Sequence, residues 1–167
     1  MTYWFFSKYF CLALLLFVVS GCLKDDTCTR TVSQSRINAV NQTKLQSDIE
    51  LIDAHIAQNN IQNVVVDPSG IRYTIDVQGQ GDQPCLESAV TVTYRGTFLS
   101  SGNEFDKSIS PVTFSLSGLI LGWQIILPKI KRGSSITLFL PSGYGYGNVQ
   151  VGSIPPNSNL VFEIDLL

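Results

Sequence analysis

The side chains that could do chemistry in this sequence are mostly aromatic and aliphatic. The chain has a single histidine, His55, which leaves little material for imidazole acid–base or metal chemistry. Residues 143–147 are rich in glycine, but no Lys-Ser/Thr pair follows them, so a phosphate-cradling loop has little support. A Gly-x-Ser-x-Gly nucleophile elbow is also absent. We therefore expect no metal, no cofactor and no covalent intermediate.

Six segments resemble, in order, the motifs of FKBP-type peptidyl-prolyl cis/trans isomerases. They are Val-Thr-Val-Thr-Tyr-Arg-Gly at 90–96, Gly-Asn-Glu-Phe-Asp at 102–106, Leu-Ile-Leu-Gly-Trp at 119–123, Pro141 with Tyr146-Gly147, Ile-Pro-Pro at 154–156, and Leu-Val-Phe-Glu-Ile at 160–164. The resemblance spans residues 71–167 and implies an FKBP-like fold with a proline pocket.

The resemblance also implies roles for individual residues. The group expected to act in catalysis is Asp106, Tyr146, Trp123, Ile120 and Phe105. The group expected to line the substrate pocket is Tyr94, Val112, Leu119, Ile154 and Phe162. Trp123 would form the floor, with the phenylalanines as walls. The Ile120 N–H and the Tyr146 hydroxyl would bond carbonyls flanking the proline, and Tyr94 would hold Asp106 at the rim.

Three departures from the family pattern lie near the mouth of this pocket. Val112 stands where the family often has an aromatic residue, the segment between Asp106 and Pro111 is short, and Gln150-Val151 replaces a more polar or basic tip. We expect them to alter the preference for the residue before proline and the affinity for macrolide inhibitors. The floor and the hydrogen-bonding groups remain, so we expect activity to be retained.

Two functions fit these residues. One is an isomerase that assists the folding of exported proteins, with proline-containing polypeptides as substrates. The other is a non-catalytic chaperone or binding module for proline-containing or unfolded segments.

A purely structural role suits strand aromatics, which usually pack inside. It suits Phe105-Asp106 and Tyr146-Gly147 less well, because both lie in segments that read as loops.

The elements that must position these residues are mainly strands. Apolar and polar residues alternate over four segments, at 71–77, 90–94, 136–140 and 160–166. The apolar segment 122–129 suits one short buried helix that ends near Pro128. An Asp-Pro-Ser-Gly turn at 67–70 opens the domain. We predict an α+β domain over residues 67–167, with an antiparallel sheet wrapped around one short helix.

An amphipathic helix and a linker are predicted before this domain, over residues 43–66. Four apolar residues recur at helical spacing: Leu45, Ile49, Ile52 and Ile56. Thr43 and Gln46 have the spacing of a capping box, and the helix is expected to end at Asn59-Asn60. The apolar stripe has two interpretations, packing on the domain or forming a homodimer, and the sequence does not choose between them.

The start of the chain resembles a bacterial lipoprotein signal. Residues 4–21 are almost entirely apolar and end in small residues just before Cys22. This predicts a signal peptide at 1–21, lipidation of Cys22 and a polar tether at 22–42; an uncleaved membrane anchor is the alternative. Both place the remaining chain outside the cytoplasm, as a periplasmic or surface-exposed outer-membrane protein. The net charge of −2 does not provide the excess of positive charge that nucleic-acid binding requires.

Cys28 and Cys85 remain once Cys11, in the apolar signal, and Cys22 are set aside. In an oxidising compartment they could form a disulfide. Two free thiols are the alternative.

Overall fold

The structure, a computed structural model, describes residues 28–167. The predicted signal peptide, the lipid acceptor Cys22 and the first residues of the predicted tether lie outside the described residues. Within residues 28–167, no helix is both long and apolar enough to cross a membrane.

Three α-helices and six strands make up the described part of the chain. In order they are α1 (Gln34–Asn38), α2 (Gln42–Gln58), β1 (Val65–Val66), β2 (Arg72–Val77), β3 (Ala89–Phe98), β4 (Glu104–Ser115), α3 (Leu121–Ile126), β5 (Ser134–Leu140) and β6 (Leu160–Leu166). Short 3-10 turns lie at Leu116–Gly118, Leu127–Lys129 and Ser142–Tyr144. The strands form one antiparallel sheet in the order β1-β2-β5-β6-β3-β4.

The core lies where this sheet packs on α3. All residues from 122 to 128 are buried, which explains the apolar sequence of this short helix. On the central strands, Ile136 lies opposite Ile164 and Leu138 opposite Phe162, and all four side chains are buried. Alternation on one sheet face thus supplies most of the core. The predicted α+β fold, an antiparallel sheet around one short helix, is confirmed.

Strand β4 was not predicted. The sequence around Phe105-Asp106 and on to Pro111 reads as a loop, yet residues 104–115 form a strand at the sheet edge that pairs with β3. Val92 pairs with Val112 and Tyr94 with Ser108, so residues 109–111 bulge out of the ladder. The bulge accommodates a proline and interrupts the alternation that marks a strand. The expectation that Phe105-Asp106 lies in a loop is therefore wrong.

Helix α2 packs on the domain through its apolar stripe. Ile52 is fully buried and Leu45 nearly so. The helix is capped by Asn41, whose side chain accepts a hydrogen bond from the Lys44 N–H at 3.0 Å, and not by the expected pair Thr43 and Gln46. The packing decides between the two interpretations of the stripe, because these side chains are covered by the chain's own domain. A homodimer through this helix stays a prediction, and it would use the exposed side chains of the helix, not the buried stripe.

The residues before α2 differ from the predicted polar tether. Val32 is 8% exposed and belongs to the core cluster, and the Leu86 N–H donates to the Thr29 carbonyl at 2.7 Å. A disulfide joins Cys28 to Cys85, with 5.2 Å between their Cα atoms. This segment, residues 28–41, is thus a strap on the domain surface. The linker after α2 also contains β1, which extends the sheet.

Candidate active site

The floor of the candidate site is Trp123, on the first turn of α3. Its side chain is 4% exposed, and its ring meets two others edge to face: Tyr94 at 5.6 Å and Phe162 at 5.4 Å between centroids. Edge-to-face contacts of this kind stabilise one orientation of each ring. The buried indole N–H donates to no acceptor within the described residues.

Two phenylalanines form the wall beside this floor. Phe162, on β6, and Phe105, on β4, meet edge to face at 5.6 Å, and Phe98 lies 5.1 Å from Phe105. Gly96 on β3 lies between these rings. A Cβ atom at Gly96 would come within 2.6 Å of Phe105 and 3.0 Å of Phe162, so the wall closes only because this residue is glycine.

A polar rim borders the aromatic wall. The Tyr94 hydroxyl donates to the Asp106 carboxylate at 2.7 Å. Burial, together with this hydrogen bond and the Asp106 charge, raises the pKa of Tyr94 to about 12. Burial and the same charge also raise the pKa of Tyr146 above its ordinary value. Both phenols therefore remain protonated donors near neutral pH.

The backbone beside the floor offers a further donor. Ile120 is the N-cap residue of α3, and within residues 28–167 its N–H makes no hydrogen bond. The side-chain amide of Gln124 donates to the carbonyls of Ser117 and Leu119, at 3.1 and 2.6 Å. These bonds fix the turn that leads into the helix. The Ile120 N–H is thereby held in place next to Trp123.

Apart from Asp106, the predicted site residues belong to the hydrophobic core cluster of the domain or pack against it. Trp123, Ile154 and Phe162 belong to the cluster; the partly buried residues that pack against it are Tyr94, Phe105, Val112, Leu119, Ile120 and Tyr146. Asp106 is exposed at the rim. Val112 lies on β4 opposite Val92, beyond the bulge from Asp106.

Two aromatic residues of this region were missed by sequence reasoning. Phe98 lies against Phe105, and the Phe114 ring lies 6.4 Å from Tyr94. Phe114 could have been found, because Val112, Phe114 and Leu116 alternate with polar residues as a half-buried strand does. Phe98 gives a weaker signal, because the Ser-Ser-Gly-Asn segment at 100–103 that follows it is typical of a turn.

The fold and the site together define a class: an α+β domain whose sheet and short helix bring together an aromatic cluster and several hydrogen-bonding groups. A family model described as FKBP-type peptidyl-prolyl cis-trans isomerase matches residues 81–167. The chain belongs to this family.

Individual relatives agree with this assignment. The FKBP-type peptidyl-prolyl cis-trans isomerase FkpA of Escherichia coli is 33% identical over 155 residues, covering 87% of this chain and 57% of the relative. The outer membrane protein MIP of Legionella longbeachae is 38% identical over 120 residues, covering 69% and 51%. The chain thus spans about half the length of these curated relatives. A crystal structure of a peptidyl-prolyl cis-trans isomerase from Pseudomonas syringae pv. tomato has a TM-score of 0.66 at 31% identity, covering 75% of this chain and 92% of that chain.

Proposed function

We propose that this protein catalyses cis/trans isomerisation of X-Pro peptide bonds and so assists the folding of exported polypeptides. The observation that best supports the proposal is the aromatic cluster that would form the pocket, in which Trp123 meets Tyr94 and Phe162 edge to face and Tyr94 donates to Asp106. The pocket has an apolar floor with hydrogen-bond donors at its edge, which suits a proline ring between two peptide carbonyls.

The chemistry required of such a pocket is modest. Rotation about the peptide bond has a barrier of about 18–20 kcal/mol because resonance keeps the amide planar. Water stabilises the planar, more polar amide through its carbonyl. A pocket lined by Trp123, Phe105 and Phe162 removes that water and favours the twisted, less polar amide. Each tenfold acceleration needs the barrier to fall by about 1.4 kcal/mol.

The hydrogen-bonding groups have distinct roles in this proposal. The Ile120 N–H and the Tyr146 hydroxyl bond the carbonyls on either side of the proline and so align the substrate. Asp106 carries the negative charge at the rim, where the Tyr94 hydroxyl holds it. Ile154 and Leu119 complete the apolar lining, and Val112 influences which residue before proline is preferred.

A protease-free isomerisation assay tests the activity, using the full-length chain in mild detergent and short peptides that vary the residue before proline. We expect acceleration by the wild type and a clear loss with Tyr146→Phe and with Asp106→Leu. Glu87→Gln, an exposed residue outside the site, is the matched control. Absence of acceleration by a folded protein, across all peptides, would reject the isomerase in favour of the non-catalytic binding module.

We further propose that the chain is anchored outside the cytoplasm by a lipid on Cys22, after removal of residues 1–21. The Cys28–Cys85 disulfide supports an oxidising compartment, and one relative is named an outer membrane protein. Expression of the wild type and of Cys22→Ser, followed by membrane fractionation and intact mass measurement, tests the anchor. An unmodified Cys22 in the membrane-bound wild type would contradict it.

A further inference from the structure

A buried carboxylate connects the N-terminal helix to the candidate active site. Asp48, on α2, is 0% exposed. Its Oδ2 accepts hydrogen bonds from both the backbone N–H and the hydroxyl of Ser142, at 3.0 and 2.6 Å, and its Oδ1 pairs with Lys44. A charge removed from water is costly unless it is fully hydrogen-bonded, and a buried ion pair adds little net stability. Such a group instead fixes the positions of the residues that it bonds.

The geometry fixed here belongs to the loop that presents Tyr146. The Ser142 carbonyl accepts hydrogen bonds from the Gly145 N–H at 3.1 Å and from the Gly147 N–H at 2.8 Å. The backbone on both sides of Tyr146 is therefore tied to one carbonyl. That carbonyl belongs to the residue whose N–H and hydroxyl are held by Asp48.

Two further hydrogen bonds of this loop come from the domain itself. Asn159 also accepts from the Ser142 N–H, at 3.0 Å, and the Tyr144 hydroxyl donates to the Ser69 carbonyl at 2.9 Å. Asp48 differs from both because it is a carboxylate and lies on α2, which precedes the domain. Helix α2, which precedes the domain, thus contacts the loop at Ser142, the first residue of the loop.

We propose that Asp48 is a positioning residue of the active site, which sets the Tyr146 hydroxyl through Ser142. This inference rests on the proposed isomerase function. Helix α2 is then part of the machinery that aligns the substrate, and the domain without it has a less ordered Tyr146 loop.

The test compares Asp48→Asn in two backgrounds, with the full-length chain in mild detergent. In the wild type we expect kcat/KM to fall about tenfold, because a displaced Tyr146 hydroxyl aligns the substrate less well. In Tyr146→Phe, which lacks that hydroxyl, we expect the same substitution to change kcat/KM by less than about twofold. An equal loss in both backgrounds would overturn the proposal.

The same helix provides a matched control. Asp53 also pairs with the domain, through Arg72 at 2.8 Å, but it is half exposed and contacts β2. Asp53→Asn should leave kcat/KM within about twofold of the wild type, since it touches no site loop. Ser142→Ala removes the hydroxyl donor alone and covers the case in which Asp48→Asn does not fold. Wild-type rates in Ser142→Ala and in any folded Asp48→Asn would count against the proposal.

A readout that needs no turnover separates this inference from the proposed function. The ring signals of labelled tyrosines are recorded by NMR, and Tyr146 is identified by its absence in Tyr146→Phe. We expect the Tyr146 signal to move in Asp48→Asn or Ser142→Ala and to stay in place in Asp53→Asn. An inactive wild type would reject the isomerase alone, whereas an unmoved Tyr146 signal would reject the positioning role.

Discussion

At the scale of single residues, the site depends on phenols that keep their protons. The pKa of Tyr94 is raised to about 12, chiefly by burial and then by Asp106, and the pKa of Tyr146 is raised for similar reasons. Both hydroxyls therefore stay donors well above neutral pH. We predict a kcat/KM that is constant within about twofold between about pH 6 and about pH 9. A pH series of the peptide assay measures this, and an activity that falls with a midpoint inside that range would contradict it.

The residues most readily predicted from the sequence are those whose neighbours in the chain are distinctive. Trp123 follows an apolar stretch with a glycine, and Phe162 lies in a clearly alternating strand. In the structure both side chains are buried and their rings meet edge to face. The contact between Gly96 and the phenyl rings could not be predicted, because it depends on the register of β3 against two other strands. Sequence neighbours give no information about such a contact.

At the scale of elements, the turn between β1 and β2 contains a buried carboxylate, Asp67, which pairs with the exposed Lys129 after α3. Burial raises the pKa of Asp67, but the ion pair with Lys129 and the hydrogen bonds from Ser69 outweigh it, so its pKa lies below the ordinary value. A lowered folded-state pKa stabilises the protein above the unfolded pKa of about 4, and this stabilisation is lost as the pH falls through the folded value.

We therefore predict that Asp67→Asn flattens the acid side of the stability curve. The free energy of unfolding of the wild type should fall more steeply than that of the variant below about pH 4. Urea melts at a series of pH values measure both curves. Glu87→Gln, at an exposed position, is the control and should follow the wild type. Parallel wild-type and Asp67→Asn curves would show that the ion pair has no part in acid stability.

A helix or strand could be predicted from the sequence when its apolar residues repeat at one spacing without interruption. Strands β2, β3, β5 and β6 were expected from alternation in the sequence, although burial in β2 does not alternate and its Ile75 and Val77 are exposed. Helix α3 was expected from its apolar run and Pro128. Strand β4 breaks its alternation at a bulge, and β1 has two residues, too few to show a period. The start of α2 was misplaced because two competing caps, Asn41 and Thr43, lie close together in the sequence.

At the scale of the whole molecule, the disulfide attaches the strap to the domain. Cys28 and Cys85 are separated by 57 residues in the sequence. On the chain-entropy model, a link over such a loop stabilises the folded state by about 4 kcal/mol. We predict that reduction lowers the free energy of unfolding by about this amount, and that Cys28→Ser with Cys85→Ser does the same. Urea melts with and without reductant measure the change; an unaltered midpoint would mean that the strap adds no stability through this link.

Helix α2 and the sheet should unfold together, because their contact is a buried one. Ile52 is 0% exposed, Asp48 is bonded to the loop after β5, and the His55 ring lies 6.1 Å from Phe139 on that strand. Ile52→Ala removes buried methyl groups at this contact, and we predict a loss of about 2–5 kcal/mol. The helical far-ultraviolet signal and the near-ultraviolet signal of the aromatic core should shift to the same lower midpoint. Leu51→Ala, at the neighbouring position that is 56% exposed, should change stability by no more than about 0.5 kcal/mol. Two separate transitions in Ile52→Ala, with the aromatic signal unchanged, would instead show that the helix unfolds independently of the sheet.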